Sequence, residues 1–261
     1  MSIMSAGPRV LVVTPTYDEA GSLAATVAAV LAAAPQVDLL VVDDASPDGT
    51  GDIADGLAAA DPRVTVLHRP GKEGLGRAYV AGFRLALDRG YDRIVEMDAD
   101  GSHPASALPS LLAALADDAS VGLAIGSRYV PGGGLADWAA GRRLLSRAGN
   151  AYARFMLRVP VRDVTAGYRA YRAEVLRALP LDQIDSRGYC FQIDMTLRTL
   201  DAGWHIAERP IEFRERTAGV SKMSSGVVVE AMLRVTAWGI SRLVRPRVKV
   251  SPPTRGATAA R

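Results

Sequence analysis

Through the first half of the chain, short β-rich runs alternate with Ala/Leu-rich stretches of helical period. Val10 to Val13, Leu39 to Val42, Val64 to Leu67, Tyr91 to Met97 and Val121 to Ile125 read as strands. Leu23 to Ala34, Ile53 to Ala60, Arg77 to Asp88 and Ala107 to Ala116 read as the helices between them. A β-α-β-α order of this kind predicts a mostly parallel sheet with helices on both faces. Ligands in such sheets bind beyond the carboxyl ends of the strands. Polar motifs fall at those ends: Pro15 to Glu19 after the first run, Asp43 to Thr50 after the second, and Asp98 to His103 after the fourth.

The second half is less regular. Pro131-Gly132-Gly133-Gly134 has the composition of a mobile loop. Leu144 to Leu157 reads as a helix with an apolar face, Trp204 to Phe213 as a strand, and Val227 to Leu243 as an amphipathic helix. From Pro246 the chain is rich in Pro, Arg and Ala and is expected to be disordered. At 261 residues and 49% apolar content, a sizeable core is within reach. A net charge of +3, from 31 basic and 28 acidic residues, is too even for a polyanion binder, so no nucleic-acid partner is expected. A single cysteine, Cys190, excludes an intramolecular disulfide and a cysteine-based zinc site, and fits a reducing compartment. No apolar signal region and no membrane-spanning stretch are expected.

Asp98-Ala99-Asp100 is the centre of the functional reading. Two carboxylates one residue apart, just after an apolar strand, point to the same side if the extended backbone continues. Like charges that close repel, and a divalent cation removes the conflict. Hard oxygen donors suit Mg²⁺ or Mn²⁺ shared with substrate phosphates, and Ser102 or His103 can add a ligand. The same residues also suit a solvated turn. Asp43 to Thr50 is a second acidic cluster, able to accept hydrogen bonds from a base or ribose, or to build a turn and cap the helix through Ile53. Gly71 to Arg77 lacks the ending of a phosphate-binding P-loop and the third glycine of a dinucleotide fingerprint. Arg128, Arg142, Arg143, Arg216 and Lys222 recur at loops, where a guanidinium fork matches phosphate or simply solvates a face. No nucleophile-elbow motif supports a serine hydrolase.

Taken in order, Pro15–Glu19, Asp43–Thr50, Gly74-Leu75-Gly76, Met97–Pro104, Gly126–Tyr129, Gly188–Ile193 and Gly219–Lys222 resemble the motifs of the dolichol-phosphate mannose synthase family, in particular its bacterial, polyprenol-using branch. The likeness runs from Val10 to Lys222. It implies a GT-A glycosyltransferase fold, Rossmann-like, in a single catalytic domain over 1–245, with a nucleotide-sugar half over about 9–127, an acceptor- and membrane-facing half over about 128–245, and a basic tail over 246–261. The implied reaction is an inverting transfer of mannose from GDP-mannose to a polyprenyl phosphate. Pro15, Tyr17, Glu19, Val42 and Asp44 then form the guanosine side of the pocket. Asp98, Ala99 and Asp100 hold the sugar diphosphate and Mg²⁺ or Mn²⁺, with Ser102 as a further metal ligand. Arg128, Arg216 and Lys222 meet phosphates, Arg142 faces the lipid phosphate, and Asp98, Asp100 and Arg128 carry the catalysis.

Many relatives carry hydrophobic C-terminal helices, whereas this sequence continues into a polar tail. Attachment to the cytoplasmic face of the plasma membrane is therefore expected to be peripheral, through the basic amphipathic helix, which equally suits packing on the core or on a partner subunit, or through a separate membrane-anchoring partner protein. Rival readings are a transferase with another nucleotide sugar or acceptor, an aspartyl phosphotransferase suggested by Asp98-x-Asp100-Gly101-Ser102, and a non-catalytic membrane-associated binding protein. The aspartyl motif usually closes a first strand, and here it closes the fourth.

Overall fold

A computed structural model describes residues 7–136, 138–184, 189–215 and 225–244. Arg216 and Lys222, the Gly188 and Gly219–Lys222 motif residues and the tail lie outside them.

The expected alternation is present. β1 (Val10–Thr16), α1 (Leu23–Ala33), β2 (Val37–Asp43), α2 (Thr50–Ala60), β3 (Val64–His68), α3 (Leu75–Asp88), β4 (Arg93–Glu96), α4 (Leu108–Asp117) and β5 (Val121–Ser127) follow in order. β6 (Gly134–Leu135), α5 (Ala140–Leu157), β7 (Arg169–Arg172), α6 (Ala173–Ala178), α7 (Tyr189–Asp201), β8 (His205–Pro210), β9 (Glu212–Phe213) and α8 (Ser225–Val244) complete the described residues. A seven-stranded sheet runs β3-β2-β1-β4-β7-β5-β8, and residues of both halves of the chain share it. Its two faces carry separate cores, because alternate side chains of a strand point opposite ways. Leu11 and Val13 pack with Tyr79 and Phe83 of α3, while Val10 and Val12 pack with Leu23, Val27 and Leu111 of α1 and α4. α3 lies so close to β1 that a Cβ on Gly82 would sit 2.4 Å from Val13 Cγ1.

The sheet is mostly parallel, as expected, with β7 inserted antiparallel to both β4 and β5. Two expectations change. Trp204 to Phe213 is two strands, because Pro210 has no N–H to continue the ladder. The chain turns at Ile211, and β9 pairs with β6 instead. The glycine run is consequently a tied turn: Gly132 has φ +85°, Gly133 packs where a Cβ would meet the Ser127 carbonyl at 2.5 Å, and the Gly134 N–H donates to the Ile211 carbonyl at 3.0 Å.

Candidate active site

β4 ends at Glu96, so Asp98 to Asp100 lie just past the sheet edge, beside the ends of β1 and β2. There Pro15, Tyr17, Glu19, Asp44, Lys72, Leu75, Asp98, Ala99 and Asp100 line one cleft of about 160 Å³.

The two aspartates of the second motif divide their work. Asp43 is structural: its carboxylate accepts from Thr16 Oγ1 at 2.9 Å, Ser46 Oγ at 2.6 Å and the Ser46 N–H at 3.1 Å. Asp44 faces the cleft and is bound by the Arg69 guanidinium, which also reaches Glu73 at 2.5 Å. Burial raises the Asp44 carboxyl above its ordinary range, and Arg69 pulls it back. Asp48 accepts from the Ala20 N–H at 3.0 Å and from the Thr50 N–H at 3.1 Å, tying the β1–α1 loop to the start of α2. The helix cap itself is Gly49, at φ +86°.

Asp98 is held from two sides. Tyr79 Oη donates to its Oδ1 at 3.0 Å, and its own N–H donates to His103 Nδ1 at 3.1 Å. The His103 ring stacks on Tyr168 with centroids 5.1 Å apart. Asp100 is buried and accepts from the Ser102 N–H at 3.0 Å. Behind this end of the sheet, Glu96 accepts from Gln192 Nε2 at 2.8 Å and faces Arg169 across the β4–β7 ladder. Arg169 is fully buried, donating to the carbonyls of Ala166 and Val164 and to Thr196 Oγ1. Burial pushes the Glu96 carboxyl up to about 7, against the pull of Arg169 and Gln192.

The residues expected at the site separate into groups. Pro15, Tyr17, Glu19, Asp44, Asp98, Ala99 and Asp100 converge on the cleft. Val42 does not: its side chain is fully buried in the core with Leu11 and Val13, because its strand position points it under α3. Arg128 stands elsewhere too. Its guanidinium is buried and bound by Asp163 through Nε at 2.8 Å and Nη2 at 2.7 Å. With Arg142 it borders a second, mainly apolar cavity of about 360 Å³ between α5 and α8, with Trp138, Tyr152, Ile193 and Val235. Arg142 stacks 3.9 Å over the Trp138 ring and pairs with Glu215.

Lys72, Leu75, Tyr79 and Arg69 belong to the cleft region without having been expected there. Lys72 Nζ lies 3.7 Å over the Tyr17 ring. The glycine-rich run around Gly74 was the sequence signal for this region, and Gly74 serves a backbone at φ +104° that starts α3.

The donor set suits a hard divalent cation. No group of three or more His, Cys, Asp or Glu closes round a metal position among the described residues. Two adjacent carboxylates at an open cleft match Mg²⁺ or Mn²⁺ shared with a diphosphate. Ser102 Oγ is buried beside Asp100 and without a hydrogen-bond partner among the described residues, so it is a spare oxygen donor.

The chain is similar to known proteins over most of its length. The model of glycosyl transferase family 2 matches residues 11–179. The undecaprenyl-phosphate mannosyltransferase of Micrococcus luteus is 56% identical over 233 residues, covering 89% of this chain and 95% of that protein. The polyprenol monophosphomannose synthase of Mycolicibacterium smegmatis is 56% identical over 241 residues, covering 92% and 90%. Among solved structures, the glucosyl-3-phosphoglycerate synthase of Mycobacterium tuberculosis with Mn²⁺ and UDP superposes with a TM-score of 0.63 at 21% identity, over 92% of this chain and 81% of that one. A mannosyltransferase of Pyrobaculum calidifontis with GDP-Man and Mn²⁺ gives 0.59 at 20% identity, over 93% and 66%. The fold is therefore GT-A, and the chain belongs to glycosyl transferase family 2.

Proposed function

We propose that this enzyme transfers mannose from GDP-mannose to a polyprenyl phosphate, peripherally at the cytoplasmic face of the plasma membrane. The observation that supports this reading most is the pairing of two cavities. One is an acidic cleft at the strand ends, and the other is an apolar cavity bordered by Arg128 and Arg142. The relatives' names add the sugar and the lipid.

In this reading Tyr17, Glu19 and Asp44 hold the nucleoside, with the Asp44 carboxylate fixed by Arg69 as an acceptor for ring N–H groups. Asp98 and Asp100, with Ser102 nearby, hold a divalent metal. When bound, that metal supplies charge stabilisation to the departing diphosphate. Lys72, beside Tyr17 at the cleft, adds a positive charge from the chain itself. Arg216 and Lys222 are proposed to join it.

The acceptor needs no strong general base. A phosphate monoester loses its second proton near pH ~6, so its oxygen is already anionic at neutral pH. Arg142 and Arg128 instead position that anion. The Arg128 fork is braced by Asp163, so it presents a fixed direction rather than a free charge. The apolar cavity, which Arg128 and Arg142 border, takes the first isoprene units.

The test is transfer of radiolabelled mannose from GDP-mannose to a short polyprenyl phosphate, with Mg²⁺, Mn²⁺ or chelator. Metal-dependent label in the lipid phase is the expected result, and Asp100→Ala should lower turnover by at least about 10²-fold. Transfer from a different sugar nucleotide would discard mannose and keep the chemistry. Absence of transfer from any donor by folded protein would favour a binding role.

A further inference from the structure

We propose that the cavity on the opposite flank of α5 binds the phosphate of an anionic lipid headgroup. This cavity, of about 470 Å³, is lined by Arg147, Arg154 and Arg162 together with Tyr129 and Asn150, and meets the acceptor cavity at Arg128. Its electrostatics are one-sided. Arg128 is neutralised by Asp163, but the guanidiniums of Arg147, Arg154 and Arg162 have no carboxylate partner among the described residues. Glu208, beside the Arg162 segment, is occupied by the main-chain N–H groups of Arg162 at 2.7 Å and Asp163 at 2.9 Å. Arg154 Nε is inaccessible and has no acceptor among the described residues. Three guanidiniums without a carboxylate among the described residues repel each other in one concave site, and a phosphate removes the repulsion while matching their donor forks.

The site is also built. Asn150 is buried. Its Nδ2 donates to the Arg162 carbonyl and its Oδ1 accepts from the Val164 N–H at 3.0 Å, which fixes the Arg162 segment against α5.

The neighbouring surface identifies the source of the phosphate. On α5, Arg147 and Arg154 are seven residues apart and so share a side of the helix. The adjoining stripe is Leu144, Ala151 and Phe155, and there Leu144 is 70% and Phe155 80% exposed. An apolar stripe bordered by guanidiniums places side chains in the acyl boundary and charges at headgroup level. A free phosphate ion has the same headgroup chemistry but no use for that stripe.

Calorimetric titration of the full chain separates the cases. The probes are dihexanoyl phosphatidylglycerol below its micellar concentration, dihexanoyl phosphatidylcholine and inorganic phosphate. The expected result is binding of phosphatidylglycerol over both others. Arg147→Gln/Arg162→Gln, which alters two exposed side chains, should weaken it about tenfold or more. Arg89→Gln/Arg177→Gln, an equal loss of charge on α6 and at the end of α3, should leave it unchanged, with melting curves confirming that both variants fold. Inorganic phosphate binding as tightly as phosphatidylglycerol, and equally sensitive to the first pair, would keep the anion site and assign it to free phosphate. Undiminished binding by the first pair, equal loss in the second, or no binding of either anion would overturn the proposal.

Discussion

Tyr79 is wholly buried, its ring stacked between Phe83 and Phe191, and its hydroxyl is aimed at one oxygen of Asp98. Burial, and then the charge of Asp98, push the phenol well above its ordinary range, so it remains a donor at any physiological pH. A neutral donor fixed on one oxygen leaves the other lone pairs of Asp98 for a metal or a substrate hydroxyl. Hydrogen bonds to charged groups are worth about 1.5–3 kcal/mol. Tyr79→Phe should therefore weaken Mn²⁺ binding about 10- to 100-fold, read directly by electron paramagnetic resonance of free Mn²⁺. Unchanged Mn²⁺ affinity would make the hydroxyl merely structural.

Glu96 gives a second prediction at the same scale. Its carboxyl sits at about 7 in the fold against an ordinary 4.5. Between those values the folded protein keeps a proton that the unfolded chain has released. This contribution to stability is thus full below about 4.5 and lost as pH rises through about 7. Urea unfolding of wild type and Glu96→Gln at a series of pH values should show the difference between them changing across that window. A difference independent of pH would refute the assignment.

At the scale of elements, α8 rests on α5 through a glycine. A Cβ on Gly239 would lie 2.8 Å from the Met156 carbonyl oxygen, and backbone cannot give way as a side chain can. Nearby, the Tyr152 and Thr236 hydroxyls are 2.6 Å apart across the same pair. Gly239→Ala should push the helices apart and destabilise the protein by about 1–3 kcal/mol. It should also raise KM for the lipid acceptor while leaving KM for the sugar nucleotide unchanged, because the apolar cavity lies between α5 and α8 and the acidic cleft does not. Equal changes in both constants would count against a lipid role for that cavity.

How well each element could be read from sequence follows from how local its causes are. β1, β2 and β5 are apolar runs buried on both faces, and such runs declare themselves. β7 is Arg169-Ala170-Tyr171-Arg172, too short and too polar to signal a strand. It is a strand because the β4–β5 gap accepts it and because Arg169 finds carbonyl and hydroxyl acceptors inside. At the site, the place of Asp98 and Asp100 just past a strand end was legible from their spacing after the apolar run of β4. Tyr79, nineteen residues upstream of Asp98, was not, since its role depends on α3 folding back over β4. Arg128 was visible as a cation, but its partner Asp163 is 35 residues away. Its brace is a tertiary fact.

Seen whole, the molecule has an asymmetric surface. Among the described residues, the large apolar side chains that stand exposed are Leu144, Leu145 and Phe155 on α5, and Met232, Leu233, Ile240 and Leu243 on α8, with Leu75 at the cleft. No described helix is long and apolar enough to cross a membrane. An apolar helix pair flanked by arginines, with an apolar cavity opening between its members, suits a face that lies on a lipid surface while drawing an acceptor from it. Burying one Leu or Phe side chain is worth about 1.5–3 kcal/mol, and partial insertion recovers part of that. Leu144→Ser/Phe155→Ser/Leu233→Ser should therefore lower partition onto vesicles containing anionic lipid by about 10²-fold or more, measured by flotation. Turnover of a water-soluble, short-chain acceptor should persist, because none of the three side chains lines the acidic cleft or the cavity between α5 and α8. Loss of both would mean that the face is needed for folding. Retention of vesicle binding would mean that the apolar pair is covered by another protein surface instead of by lipid.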